Sequence, residues 1–227
     1  MTVADLEFRL QRTLPQARLE VDVLPDCNGI RLALINHDFP LGPLDPDVMR
    51  AVIAAPAYWA FCWGSGLALA RYLLQTPERV RDRSVLDLGS GSGIAAIAAA
   101  RAGAARVTAC DIDPDARLAT QVNAELNESA IDVVDSLRAD HGRFDLVLLA
   151  DVLYDKANFG LLELAGSVAD EVIVADSRIR ELERADYRET GRLEALTLPN
   201  LGEFDEFRLV RFFERRRYSK GSSNPIS

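Results

Sequence analysis

Apolar positions along this chain change their period several times, and each change marks an element. Val3, Leu6, Leu10 and Leu14 recur at helical spacing until Pro15 interrupts them, which predicts a helix over 3–14. Leu19, Val21 and Val23 then alternate with Arg18, Glu20 and Asp22. Ile30, Leu32 and Leu34 alternate in the same way beyond the turn residues Asp26-Cys27-Asn28-Gly29. Such alternation places one side of an extended chain on apolar ground, so the pair reads as a hairpin of half-buried strands. Residues 36–57 hold Pro40, Pro43, Pro46 and Pro56, which leave room for one short helix in irregular chain.

From residue 58 the texture changes. A helix is predicted over 66–74, ending before Pro77, and Ser84–Leu88 reads as a short apolar strand. Gly89-Ser90-Gly91-Ser92-Gly93 follows at once, leading into an alanine-rich helix to about Ala102. Arg106–Cys110 is the next strand and 114–127 the next helix, with Ala116, Ala119, Val122, Ala124 and Leu126 on its apolar side. A third short strand is expected at 131–134. Phe144–Ala150 is a continuous apolar run, the signature of a central parallel strand covered on both faces. Further strands are expected at 172–175, 193–198 and 207–213, the last two with no helix between them. Strand–helix alternation that finishes in a hairpin implies a doubly wound α/β sheet with an antiparallel last strand. The expected organisation is a helix-and-hairpin appendage over 1–57, a main domain over 58–214 and a solvated, flexible tail over 215–227, beginning Arg215-Arg216-Arg217.

Charge narrows the function. With 26 Lys and Arg against 35 Asp and Glu, the formal net charge of −9 argues against a nucleic-acid binder, which needs a basic face to displace counterions. An acidic surface suits a cationic partner, such as a lysine-rich patch on another protein. No apolar run approaches the roughly 18 residues of a membrane helix, and Asp5, Glu7 and Arg9 fall where a secretory signal places its apolar region. Three scattered cysteines and two histidines show no metal-ligand spacing and fit reduced thiols. The expectation is a cytoplasmic monomer without metal, membrane or nucleic acid.

The glycine-rich junction between strand and helix carries the chemistry. Glycines there let the backbone turn sharply and approach a ligand. Asp111 ends the next strand 22 positions after Gly89, about where a carboxylate takes both ribose hydroxyls of a nucleoside. The spacing is G-x-G-x-G, with Asp87 two residues upstream, rather than the G-x-G-x-x-G of dinucleotide sites. No G-x-x-x-x-G-K-S/T phosphate loop is present. A tight loop with no ligand is the structural alternative; Asp87, Asp111 and the strand context weigh against it.

This pattern resembles the first motif of class I S-adenosylmethionine-dependent methyltransferases. Tyr58-Trp59-Ala60-Phe61-Cys62-Trp63-Gly64-Ser65-Gly66 precedes the sheet, Asp111-Ile112-Asp113-Pro114 is followed by Asn123 and Asn127, and Asp151-Val152-Leu153-Tyr154 follows the fourth strand. Together they are similar to the seven-strand protein-lysine methyltransferases, whose mark after strand four is D/E-x-x-Y/F. Within these the likeness is to the electron transfer flavoprotein beta-subunit lysine methyltransferases and their bacterial relatives, a group often labelled nicotinamide N-methylases. It runs from about Tyr58 to Asp155, fades beyond Asp176 and is faint before residue 56. Three positions depart from the pattern. Trp63-Gly64-Ser65-Gly66 stands for W-P-G-G, Ala150 for a frequent Gly, and Ala175-Asp176-Ser177-Arg178 for G-D-P-x-R.

The resemblance implies a Rossmann-like sheet of seven strands and a cofactor, S-adenosylmethionine, leaving as S-adenosylhomocysteine. It sets Gly89, Ser90, Gly91 and Gly93 around the cofactor, with Asp87 near its methionine part and Asp111 at its ribose. Ile112 flanks the adenine, Asp135 accepts from the adenine amino group and Trp63 lies against the sulfonium. Asp151, at the carboxyl end of the central strand, lies in the usual ligand crevice of such sheets, near cofactor and acceptor alike. Its carboxylate can hold an amine and aim the lone pair, while Tyr154 adds a hydrogen bond or an aromatic wall. The plain alternative for Asp151 is a helix N-cap, for the two tryptophans core anchors and for Ile112 ordinary core, while Asn123 and Asn127 either line the pocket or cap backbone. Three functions follow: methyl transfer to a lysine of a protein substrate, transfer to a small nicotinamide-like amine, or cofactor binding without turnover.

Overall fold

The computed structural model describes residues 1–40, 42–202 and 205–216. Seven strands form one sheet in the order β5-β4-β3-β6-β7-β9-β8. They are β3 (Ser84–Leu88), β4 (Arg106–Cys110), β5 (Asp132–Val134), β6 (Phe144–Ala150), β7 (Ala169–Asp176), β8 (Arg188–Glu194) and β9 (Leu209–Arg216). The first five pair in parallel, and β9 inserts antiparallel between β7 and β8. This is the expected α/β sheet with its antiparallel finish, and the central place of β6 follows from its almost wholly buried apolar run. Strand order reverses between β3 and β6, so the carboxyl ends of β3, β4 and β6 open onto one crevice.

Helices α3 (Gly64–Gln75) and α4 (Ile94–Arg101) cover one face, in a core shared with Leu146, Leu148 and Ile173. Helix α6 (Gly160–Val168) covers the other, with Leu162 and Ala165 against Leu149 and Val174. Its apolar residues cluster as Leu161, Leu162, Leu164 and Ala165, and that short run lacks the repeats that would have announced a helix.

The N-terminal segment is bound into the core. Helix α1 (Val3–Leu10) starts at a Thr2 capping box and sets Leu6 and Leu10 against Ala116, Ala119 and Val122 of α5 (Pro114–Leu126). The helix ends at Leu10 instead of 14, and Leu14 reaches the same cluster from a turn. The hairpin of β1 (Leu19–Val23) and β2 (Arg31–Ile35) is present, but its burial is lopsided. From Leu32 to Ile35 β2 is buried on both sides, whereas Val21 and Val23 of β1 stand 45% and 66% exposed. The reason is that β1 is an outer strand paired only with β2, so its alternating apolar side has nothing to cover it. Helix α2 (Pro46–Ala54) is the one short helix of the proline-rich stretch.

Two expectations at the C-terminal end are corrected. The penultimate strand is Arg188–Glu194 rather than 193–198, because it is an edge strand whose polar residues face water on nearly every position. Leu198 instead forms an isolated antiparallel bridge with Cys62. Arg215 and Arg216, expected in the tail, belong to β9, where Arg215 donates to the Asp186 carboxylate at 3.0 Å. Residues 217–220 of the basic run, and the rest of the tail, lie outside the described residues.

Candidate functional site

The glycine loop turns between β3 and α4 with Gly89, Gly91 and Gly93 all in the left-handed region, at φ of 81°, 51° and 81°. The need for glycine is sharpest at Gly89, where a Cβ would meet Val152 Cγ1 at 2.5 Å. At Gly91, by contrast, a Cβ would meet nothing, so the backbone there borders open space. Helix α4 therefore starts on Gly93, which has no side chain to cap it. The cap comes from within the sheet: Asp87 Oδ2 accepts the Ala96 amide at 3.0 Å, in the position of a capping carboxylate. Burial pushes the Asp87 carboxyl up to about 7, with the neighbouring Asp111 charge adding to the rise.

Asp111 closes the loop from the other side. Its carboxylate accepts the amides of Gly91 at 2.9 Å and Asp113 at 3.0 Å, and burial raises its pKa in spite of both bonds. Next to it Ile112 projects an apolar side chain that is 89% exposed and open to a flat ligand. Ser90 is buried, its hydroxyl paired with Thr120 Oγ1 at 3.0 Å. Asp135 lies further out, exposed and turned toward Ser136 and Arg138. An open glycine backbone, an acceptor carboxylate and an uncovered apolar side chain together fit a nucleoside, the part of S-adenosylmethionine that the resemblance assigns to them.

A second aspartate repeats the capping device. Helix α3 begins at Trp63, which offers no side-chain cap. Its Gly64 amide donates to Thr197 Oγ1 at 3.2 Å and its Ser65 amide to Asp151 Oδ2 at 3.0 Å. Ser65 Oγ adds a 2.6 Å bond to Asp151 Oδ1. The serine that replaces glycine in the resembled pattern is what makes this bond. Asp151 sits just past β6 with φ of 51°, a strained conformation for a residue with a side chain, costing about 1–3 kcal/mol. The strain turns its carboxylate inward, where Ser177 Oγ lies at 3.4 Å and Arg178 Nη1 at 3.5 Å. Burial first, and then the charge of nearby Asp176, push the Asp151 carboxyl up to about 6. Asp176 is fully buried; its Oδ1 takes the amides of Arg178 and Ile179, and among the described residues its Oδ2 has no close hydrogen-bond partner, the Leu153 backbone only steadying the carboxylate. The capping alternative for Asp151 is thus realised, on a helix 86 positions earlier in the chain.

Around this pair stands an aromatic wall. Tyr58 meets Trp63 and Tyr154 edge-on, at 5.9 and 5.7 Å between centroids. Trp63 donates its indole N–H to the Tyr58 carbonyl at 2.8 Å, and the Arg178 guanidinium lies over the Trp63 ring. Tyr58 and Tyr154 remain about half exposed, so the wall has an open rim. Trp59, in contrast, is a core residue with Ala60 and Ala116. Asn123 and Asn127 take the structural role. Asn123 Oδ1 accepts the Ala33 amide and its Nδ2 donates to the Ser92 carbonyl, while Asn127 Oδ1 accepts the Arg31 amide. Sequence reasoning brought Asp87, Asp111, Asp151, Tyr154 and Trp63 to one crevice but missed Ser65, Asp176, Ser177 and Arg178. The one available signal was the departure of the 63–66 and 175–178 segments from the resembled pattern.

Comparison with known proteins places this crevice in context. The family of ribosomal protein L11 methyltransferase (PrmA) matches residues 68–168. The electron transfer flavoprotein beta subunit lysine methyltransferase of Homo sapiens is 49% identical over 102 residues, covering 44% of this chain and 39% of that protein. The ribosomal protein L11 methyltransferase of Geobacter sulfurreducens is 39% identical over 132 residues, covering 57% of this chain and 42% of that protein. The chain thus spans about two fifths of the length of the curated relatives it matches. Among solved structures, the ribosomal protein L11 methylase of Lactobacillus delbrueckii subsp. bulgaricus is 28% identical with a TM-score of 0.51, covering 66% of this chain and 78% of that one.

Proposed function

We propose that this chain transfers a methyl group from S-adenosylmethionine to the side-chain nitrogen of a lysine in a protein substrate. The observation that carries the reading is the buried Asp151–Asp176 pair opposite a single Arg178, at the carboxyl ends of β6 and β7. Two carboxylates against one guanidinium leave an excess negative charge in a crevice rimmed by aromatic rings, which is an environment for a basic nitrogen. The similarity to lysine and L11 methyltransferases supports the same reading.

When bound, the cofactor supplies a sulfonium-activated methyl group. Asp111, the 89–93 loop and Ile112 would hold its nucleoside, and Trp63 would lie against the sulfonium end. The chain's own residues do the rest. Attack needs the neutral amine, although a free lysine titrates near 10.4. The aromatic wall of Tyr58, Trp63 and Tyr154 dries one side of the crevice and so disfavours the ammonium, against the opposite pull of the Asp151 and Asp176 carboxylates. Asp151 is ionised above about pH 6 and can accept a hydrogen bond from the amine, fixing its lone-pair direction. The Ser65 bonds hold that carboxylate in place, so positioning reaches the reacting nitrogen through the start of α3.

Transfer of radiolabelled methyl from S-adenosylmethionine into a cell extract, wild type against Asp151→Asn, tests this directly. A discrete labelled protein that disappears with the variant is the expected result. Label confined to small molecules would replace lysine by a nicotinamide-like acceptor, and cofactor binding with no labelled product would leave a binding module.

A further inference from the structure

Beside the aromatic wall, Ser177, Arg178, Arg180, Phe207 and Arg211, with Glu206 at one side, line an open pocket of about 290 Å³. Its charge runs against the molecule. Among the described residues, a chain of net charge −9 sets Arg180 and Arg211 here against the single carboxylate of Glu206, Arg178 being already paired with Asp151. Arg178 is the partition between this cavity and the amine crevice. Its guanidinium lies 3.5 Å from Asp151, 5.7 Å from the Trp63 centroid and 4.9 Å from that of Phe207.

The other two arginines have no evident work in the fold. Arg180 is exposed just past β7 and Arg211 lies on β9, and neither forms an ion pair with a described residue. Arg211 also stands directly opposite Arg192 in the β8–β9 ladder, a like-charge pairing that weakens a sheet. Its charge reaches Glu189, but that carboxylate is already held by Arg192. A cost without a structural return points to a ligand. Two guanidinium forks at the mouth of a pocket this size suit a side-chain carboxylate.

We propose that this cavity receives an aspartate or glutamate of the substrate protein lying near the acceptor lysine in sequence. The inference rests on the lysine reading above and adds a rule of selection to it. The acidic surface at large draws in a basic partner, and the cavity then favours a lysine with an acidic neighbour. Successive residues of an extended segment advance about 3.3–3.6 Å each. Because Arg178 touches both compartments, the acidic side chain belongs within a few residues of the lysine.

The test uses the full chain, S-adenosylmethionine and synthetic peptides with one central lysine in an alanine and serine background. Glutamate, alanine or arginine is placed at each flanking position in turn. Wild type should favour glutamate over arginine at one position by about tenfold or more in kcat/KM, the worth of one charge-assisted pair. The double variant Arg180→Glu with Arg211→Glu should invert the preference to arginine at that same position, a result that misfolding cannot mimic. Arg12→Glu, in the turn after α1, should keep the wild-type preference. No acidic preference in wild type, or a preference that survives charge reversal, overturns the inference and leaves the lysine reading standing. If wild type methylates no peptide and no protein of a cell extract, the lysine reading falls and takes the inference with it.

Discussion

Replacing Ser65 by alanine removes one hydroxyl and leaves the backbone of α3 unchanged, so it isolates what the 2.6 Å bond to Asp151 contributes. A hydrogen bond to a buried carboxylate is worth about 1.5–3 kcal/mol. The Ser65 amide still donates to Oδ2 at 3.0 Å, so the helix start keeps its cap and the lost energy falls mainly on the ionised form of Asp151. One pKa unit equals about 1.4 kcal/mol, so the Asp151 titration should move up by about one to two units from its present value of about 6. If an ionised Asp151 holds the amine, the acid limb of kcat/KM moves with it. At pH 7 the variant should lose roughly two- to tenfold in rate and recover most of it at pH 9. The assay is methyl transfer to the labelled protein across pH 5.5–9.5, with cofactor affinity measured calorimetrically at each end. An acid limb that stays in place while activity drops uniformly would refute the reasoning, because Asp151 would then act as a structural cap alone.

Asp111→Asn should weaken S-adenosylmethionine binding about tenfold or more, since a carboxylate that accepts two hydroxyls becomes an amide that accepts one well; calorimetric titration checks this. Gly89→Ala combines a φ of 81° with a 2.5 Å approach to Val152, so cofactor binding should be lost or the chain destabilised by at least about 1–3 kcal/mol in urea unfolding. The raised carboxyls set a sign for pH dependence. Asp87, Asp111, Asp151 and Asp176 bind protons more tightly in the folded than in the unfolded chain. Their contribution to stability is complete below the ordinary aspartate value near 3.8 and is lost as pH rises, for Asp151 and Asp87 through about 6 and 7. Asp87→Asn should therefore gain on wild type in unfolding free energy between pH 5 and 8, and a gap that widens the other way would contradict the assignment.

The legible part of the fold was whatever a buried sheet writes into hydrophobicity. Phe144–Ala150 could only be a covered strand, and Ser84–Leu88 leading into three alternate glycines could only be a strand–loop–helix junction. An edge strand writes nothing of the kind, which is why Arg188–Glu194, exposed at most positions, was placed too late. The same limit explains β1: alternation shows where an apolar side could be buried, while Val21 and Val23 found no partner. In the site, single residues at strand ends were legible because strand ends are where ligands bind. Capping across the sheet was not, since the bond from Ser65 to Asp151 joins segments that no local period connects. Arg178 was hidden for a similar reason, because its meaning lies in the rings of Trp63 and Phe207 on either side of it.

Asn123 carries a consequence of a mechanical kind. One oxygen of its side chain holds the Ala33 amide of the hairpin, and its nitrogen holds the Ser92 carbonyl of the glycine loop. A single rivet thus fastens the N-terminal hairpin to the segment on which a nucleoside would rest. Any ligand that stiffens residues 89–93 must also stiffen β2, and fraying of β2 must loosen the loop in return. Hydrogen exchange at the Ala33 amide, far along the chain from any cofactor contact, becomes a gauge of cofactor occupancy, and Asn123→Ala should disconnect that gauge while leaving both ends folded.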